Sequence, residues 1–341
     1  MKTKMENPEQ LIPGYNRFVL HLNKFEPLLK SAAQSEDPAK TLYESSARQV
    51  LFYLQALARI YKKIHNKKRF ERMRIAFKAL EDQLGKVDYY DAFIKEFSAQ
   101  KNFPPVLLEN LKQHFSNELI ALKKILDDQQ WIDADFSALK YISEKLESAD
   151  WKDAANDRRG VADAIILQIE KTASDYESGK LNFKDLENGV HEFRRQLRWI
   201  SIYAQAVDGL VQLKKIDEPA AELKPYLTKE VLESKFNVMP ELKEGMVQII
   251  IEAPNFYALS WIINEIGNLK DDGLRIICIE NAIRETKYGP ESEVKKITKQ
   301  LAIKSSESPG QIKKRVEIIV DYFINTNKLF KLIVSIVKIE E

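Results

Sequence analysis

One cysteine, Cys278, stands in 341 residues. No disulfide can form within the chain and no cysteine-based metal site is possible, which fits a reducing compartment. Histidine is nearly as scarce. His21, His65, His114 and His191 lie far apart, without His-x-x-x-His or His-x-x-Glu-His spacing, so no local metal site is expected. Glycine and proline number 11 and 12, and no glycine-rich phosphate loop of the Walker or dinucleotide type occurs. No apolar run reaches the roughly 18 residues that a membrane span needs. The opening MKTKMENPEQLIPGY holds no apolar stretch of signal-peptide kind. An excess of one charge is missing too: the formal net charge is +2, so an anion site must come from local clustering. Nothing local recommends a Cys–His or Ser–His pair for nucleophilic catalysis. The expectation is a soluble cytoplasmic protein, not an enzyme, with no cofactor and no membrane partner.

What is present is helix. Hydrophobic residues make up 44% and charged residues 30%, the balance of a globular chain able to bury a large core. No proline occurs between Lys40 and Phe103 or between Val106 and Glu218. Period-3.6 patterning predicts helices over 10–30, 38–65, 67–85, 87–99, 105–127, 135–148, 158–178, 183–214, 228–236, 240–251, 255–269, 272–286, 290–303 and 309–338, the last broken near Asn325–Asn327. No convincing period-2 run is found. The fold class is all-α.

One helical stretch carries chemistry. In NGVHEFRRQLRWISIYAQAV (188–207), Val190, Phe193, Leu197, Ile200, Ala204 and Val207 make an apolar stripe. His191, Arg194, Arg195 and Arg198 fall on the opposite side at i, i+3, i+4 and i+7. Neighbours at that spacing repel, and the row gains stability only if water or an anion screens it. Arginine suits phosphate because its planar fork donates two parallel hydrogen bonds.

A faint repeat links two other segments. LEDQLGKVDYYDAF (80–93) and IINEIGNLKDDGLRI (262–276) each place a glycine after an apolar helical turn, with basic and then acidic residues behind it. Glycine there reads as a helix C-cap. Upstream of each lies an amphipathic helix with an arginine, Arg48 at 37 residues from Gly85 and Arg194 at 73 from Gly267. The longer spacing predicts one extra helical hairpin within 215–254.

HEFRRQLRW (191–199) with WIINEIGNLKDDG (261–273), and LEDQLGKVDYYD (80–91) in the first half, resemble the CHAD family over roughly 15–335. The resemblance implies one domain over 1–341, built as two pseudo-symmetric four-helix-bundle-like halves, 15–150 and 158–338, with a basic channel between them. It implies non-catalytic binding of inorganic polyphosphate or a similar polyanion there. His191, Arg194 and Arg198 match the family's basic positions, and Arg48 matches the first arginine of the other half. Ser45 stands at that half's histidine position. Phe52, Tyr53, Gln55, Trp199 and Ser201 stand where basic residues are expected. A diverged protein–protein interaction module that has lost polyphosphate binding is the alternative.

Further candidates flank that row. RIYKKIHNKKRFERMR (59–74) holds eight Lys/Arg against one Glu. From it Lys62, Lys63, Arg72 and Arg74 join the phosphate-binding set, and Lys67, Lys68 and Arg69 are weighed alongside Lys62 and Lys63. Its interleaved aromatics also give single-stranded nucleic acid as a minor reading. Lys314 and Arg315 in QIKKRVEII (311–319) are expected to flank the same channel. A histidine beside a polyanion has its protonated form favoured, so His191 is read as a third, pH-dependent cation. Trp199 is read as core, with stacking on Arg195 as the other option. The acidic stretches between 127 and 157 are expected to lie away from the basic segments. ESEVK (291–295) imitates a motif of CYTH-type triphosphatases but follows YGP, which reads as an ordinary helix start.

Overall fold

The structure, a computed structural model, describes residues 12–303 and 307–338. The expectations for residues 1–11, 304–306 and 339–341 lie outside the described residues. The chain is predominantly helical, as its periodicity requires. A first group comprises α1 (Pro13–Ala33), α2 (Pro38–Glu44), α3 (Ala47–Ile64), α4 (Lys67–Ser98), α5 (Pro105–Asp128) and α6 (Ser137–Glu147). A second comprises α7 (Ala154–Glu177), α8 (Glu192–Ala206), the short α9 (Lys229–Leu232), α10 (Ala253–Thr286), α11 (Val294–Leu301), α12 (Pro309–Asn325) and α13 (Lys328–Val334). Side-chain caps fix several starts: Asn66 Oδ1 accepts from the Arg69 amide at 3.1 Å and Asp153 Oδ1 from the Asn156 amide at 2.9 Å. Ser308 and Gln311 form a reciprocal capping box at α12.

Helix α3 is the hub. It packs on α1, α4, α7 and α8, while α5 packs on α10. A buried polar knot ties three helices beneath it. Arg17 of α1 reaches Asp157 of α7 at 2.5 Å, and the Tyr61 hydroxyl of α3 accepts from Arg17 at 2.5 Å and donates to Asp157 at 2.7 Å. Both charged side chains are sealed, at 3% and 2% exposure. Trp151, Phe18 and Phe70 surround Tyr61.

Several boundaries differ from expectation, each for a local reason. The predicted 67–85 and 87–99 helices are one, α4, and 255–269 and 272–286 are one, α10. Gly85 and Gly267 are therefore helix-interior residues, not C-caps. The predicted 38–65 helix breaks at Ser45, whose hydroxyl donates to the Leu42 carbonyl at 2.6 Å and accepts from the Ala47 amide at 3.1 Å. The 183–214 helix divides into a π-helical turn (Leu186–His191), α8 and strand β1 (Val211–Lys214); Asp208 and Gly209, at φ 54° and 84°, end it.

The extra hairpin expected within 215–254 is absent. That segment holds two short 3-10 turns, α9 and strand β2 (Ile249–Glu252). β1 pairs parallel with β2, and β2 pairs antiparallel with β3 (Ile336–Lys338), so a three-stranded sheet joins the chain's end to the segment. Short apolar runs such as Val211–Leu213 and Ile249–Ile251 have no period that separates buried strand from buried helix. The acidic stretch does not lie apart from the basic one. The α3–α4 connector packs on the α6–α7 connector, with Asp150 beside His65 and Asn66, and Arg69 donating to the Lys145 carbonyl at 3.1 Å. Glu291–Glu293 form a 3-10 turn before α11, the helix start that Pro290 predicted.

Removing one partner of the Arg17–Asp157 pair leaves a buried charge uncompensated. Asp157→Ala is expected to lower the unfolding free energy by about 3–5 kcal/mol. Arg17→Met with Asp157→Leu is expected to cost much less. Urea denaturation checks both, and equal losses in the single and double variants would exclude the stranded charge as the cause.

Candidate functional site

The site begins with two glycines. Gly85 and Gly267 lie in the middle of α4 and α10, where glycine costs about 1 kcal/mol against alanine. A Cβ at Gly85 would sit 2.7 Å from Arg48 Nη2, and one at Gly267 would sit 2.8 Å from Arg194 Nε and Nη2. In each case an arginine from a neighbouring helix lies against bare helical backbone. Arg194 Nε also donates to the Ile263 carbonyl at 2.9 Å.

The three matched arginines are held differently. Arg48 is neutralised: it contacts Glu81 at 3.3 Å and Asp88 at 2.6 Å. Arg194 is anchored to backbone. Arg198 is half-buried and makes no hydrogen bond or ion pair to any described residue. Its guanidinium lies 5.1 Å from the centre of the Phe52 ring, which Arg48 also approaches at 5.6 Å. Burial, then Arg194 and Arg48, pull its pKa down to about 10, against weaker opposition from Glu81 and Asp271. A cation short of counter-charge is the result.

A cavity of about 540 Å³ lies between α3, α8, α10 and the α9 segment. Arg194 and Arg198 line it together with Phe52, Tyr53, Asn264 and Phe236. Gln205 braces the far end, accepting from the Tyr53 hydroxyl at 3.3 Å and donating to the Phe236 carbonyl at 2.7 Å. Gln49, Phe52 and Tyr53 form the α3 wall.

His191 ends the π-helical turn, a rare element that recurs at functional sites. Burial first, then Lys270, Arg195, Arg194 and Arg198, push its pKa down to about 4. Its Nδ1 is buried without a partner. The expectation for His191 is of a cation beside a polyanion, and its own surroundings in the protein oppose the charged form.

The remaining candidates divide. Arg195 turns away from the cavity, pairs with Glu192 and adds its field to Arg59, as Arg74 does. Arg74 and Lys62 share Glu71, at 2.7 and 2.9 Å, and these bonds, Arg74 foremost, hold its carboxyl down at about 2. Lys63 donates to the Ala164 carbonyl at 3.4 Å. Arg72 is exposed and lines a shallow hollow with Lys68, Arg69 and Tyr141. Lys314 and Arg315 do not flank the cavity. They lie in another hollow, beside Trp261 and Glu265 of α10, and Arg315 pairs with Glu307 at 3.0 Å.

Two cations escaped sequence reasoning. Arg59 lies 4.1 Å from the centre of the Trp199 ring and hydrogen-bonds Gln55, so Trp199 is core stacked by Arg59, not by Arg195. Its place at i+11 from Arg48, through Phe52 and Gln55, was a readable signal. Lys270, three residues beyond Gly267, was visible only as a charge after a supposed turn. Among the described residues no group of three or more His, Cys, Asp or Glu could hold a metal ion, and no helix is long and apolar enough to cross a membrane. Comparisons with protein-family models, curated proteins and solved structures found no match to this chain.

Two outcomes follow from this geometry. Gly267→Ala is expected to leave the melting temperature unchanged or raise it, because helix propensity improves while the displaced Arg194 guanidinium swings outward. A fall equivalent to more than about 1 kcal/mol would mean that Arg194 is structural. The second outcome concerns pH. His21, pushed down to about 4 mainly by burial, and His191 both stay neutral in the fold, whereas unfolded histidine titrates near 6.5. Their stabilisation is complete above pH 6.5 and drains away as pH falls towards 4, by roughly 1–2 kcal/mol per histidine at pH 5. Thermal unfolding at pH 7 and 5 should show a smaller loss for His191→Asn than for wild type. An equal loss would place the dependence on other groups.

Proposed function

We propose that this protein binds a phosphate-rich anion, without catalysis, in the cavity beside Arg194 and Arg198, and that inorganic polyphosphate is the leading candidate. The observation that carries the reading is Arg198, half-buried and unpaired among the described residues. Desolvating a cation without a partner is costly unless an anion arrives to offset it. Arg194 and Arg48 add their field to Arg198, and Lys270 joins Arg194 and Arg198 in acting on His191. An arriving polyanion would favour the protonated imidazole, so binding takes up a proton.

The resemblance to the CHAD family supports the same reading. The helix pairs α3/α4 and α8/α10 each hold an arginine against a mid-helix glycine, Arg48 on Gly85 and Arg194 on Gly267. We read this as a duplication of one bundle into two halves, with the groove between them as the anion site. The larger second interval then comes from the 215–252 segment.

A second reading, a helical protein-interaction module, draws on Phe52 and Tyr53 in the cavity wall and on the pairing of Arg48 with Glu81 and Asp88. Titration with inorganic polyphosphate across 20–300 mM salt, in round values about the physiological range, separates the two. Wild type should bind with log affinity falling linearly against log salt, as counterion release requires. Arg198→Glu should bind at least about tenfold more weakly at the lowest salt, a difference of about 1.4 kcal/mol. Equal binding by both proteins would move the site to residues 59–74. No wild-type binding at the lowest salt would leave the interaction module.

A further inference from the structure

We infer that the cavity recognises a nucleotide: a short phosphoryl chain joined to a sugar and a planar nitrogenous ring, as distinct from a phosphate chain alone. The inference rests on the anion reading above and deepens it.

Hydrogen-bond chemistry is the first argument. A polyphosphate chain at neutral pH only accepts hydrogen bonds, so a wall made for it should only donate. Arg194 and Arg198 of α8 do so, but Gln49 and Tyr53 of α3 and Ser201 of α8 beside them also offer acceptor oxygens. The opposite side is not donor-only either. Asn264 and Asn268, one turn apart on α10, each offer an amide oxygen as well as an amide nitrogen. Glu230 offers only acceptors, and a carboxylate repels phosphate. All three are exposed and line the cavity, and none makes a hydrogen bond or ion pair to any described residue, so their acceptors face water that a ligand could displace. Acceptors standing free beside a phosphate site match a ligand that brings donors of its own. Ribose hydroxyls and exocyclic amines of a base are such donors.

Shape is the second argument. At about 540 Å³ the cavity has the volume of a small-molecule pocket. The α9 segment closes one side of it and carries Phe236, a residue 56% exposed, with the Lys235 ammonium 5.5 Å from its ring centre. Gln205 holds the Phe236 carbonyl, so the backbone position of this aromatic residue is fixed. A flat ring stacked on Phe236 covers apolar area that an inorganic chain cannot use. Phosphates at the arginine end and a base at the Phe236 end fill the cavity's two unlike halves together.

Calorimetry with ATP and with inorganic tripolyphosphate, both free of divalent cations and at equal ionic strength, tests this. Tripolyphosphate carries at least as much negative charge, so a purely electrostatic site would prefer it. ATP is expected to bind at least tenfold more tightly to wild type. Glu230→Ala should weaken ATP severalfold and strengthen tripolyphosphate, opposite signs that a mere loss of structure cannot produce. Phe236→Ala should weaken ATP and leave tripolyphosphate unchanged. If tripolyphosphate binds as tightly as ATP, the nucleotide inference fails while the anion reading stands. If ATP is preferred but both variants keep the full preference, the base lies outside this cavity and the inference also fails. If neither compound binds at the lowest salt, both readings fall.

Discussion

A guanidinium lying against bare helical backbone is the constraint on which the rest of the site depends. Any side chain at Gly85 or Gly267 would occupy the space of Arg48 or Arg194. Two long helices therefore carry a residue that weakens them, and their remaining turns must supply the difference. They do so by burial. Around Gly85, α4 buries Leu80, Leu84 and Val87, and around Gly267, α10 buries Ile262, Ile266 and Leu269. Each deeply buried aliphatic side chain contributes about 1.5–3 kcal/mol, more than a helical glycine costs. The local penalty is small beside the neighbouring packing, so the glycine can be spent on placing an arginine.

Charge at the site is balanced unevenly, and the unevenness has a pattern. Deep in the fold, Arg17 meets both Asp157 and Tyr61 and is satisfied. Arg48 has two carboxylates, while Arg194 has a carbonyl and a more distant Asp271. Arg198 has only the face of Phe52 and the fields of its neighbours. A cation over an aromatic ring recovers about 0.5–2 kcal/mol, less than a close carboxylate would supply. Satisfaction thus falls from core to cavity, and the least satisfied cation is the one bordering open space. His191 obeys the same field: burial first, then Lys270 and the neighbouring arginines, push its pKa down.

Much of this was legible in the sequence, and what was not has definite causes. The row His191, Arg194 and Arg198 could be read because period 3.6 on an amphipathic helix fixes which side chains share a face. Arg195 belongs to that row by spacing yet turns towards Arg59, since one helical step rotates a side chain by about 100° and only the neighbouring helices decide which side matters. The glycines were visible but misread. An isolated glycine after an apolar turn is normally a cap, and only the position of Arg48 or Arg194 in space reveals the other use. The sheet was hidden for a different reason: β1 and β2 are parallel strands separated by 34 residues, so no hairpin signal joins them. Lys314 and Arg315 were misplaced because linear charge clusters carry no information about which side of α10 they meet.

The segment between α8 and α10 changes what the groove can be. On the proposed duplication, the first half passes directly from α3 to α4, with only His65 and Asn66 between them. The second half inserts two strands, α9 and the Phe236 turn before α10 begins. β1 and β2 anchor both ends of that insertion against each other, and β3 fastens the pair to the C-terminal helices. An anchored insertion resting on the groove narrows a path that a long chain would otherwise follow and gives it a wall with acceptors and an aromatic ring. On that proposal, the aromatic residues of the α3 wall and the inserted segment have one physical meaning. A site lined on both sides by positive charge binds by charge density along a polymer, whereas a site with cations on one side and mixed polar groups on the other binds by the arrangement of groups within a single molecule. Arg198, without a hydrogen-bond or ion-pair partner among the described residues, borders both walls, and on the proposed function either kind of ligand would place its phosphate there.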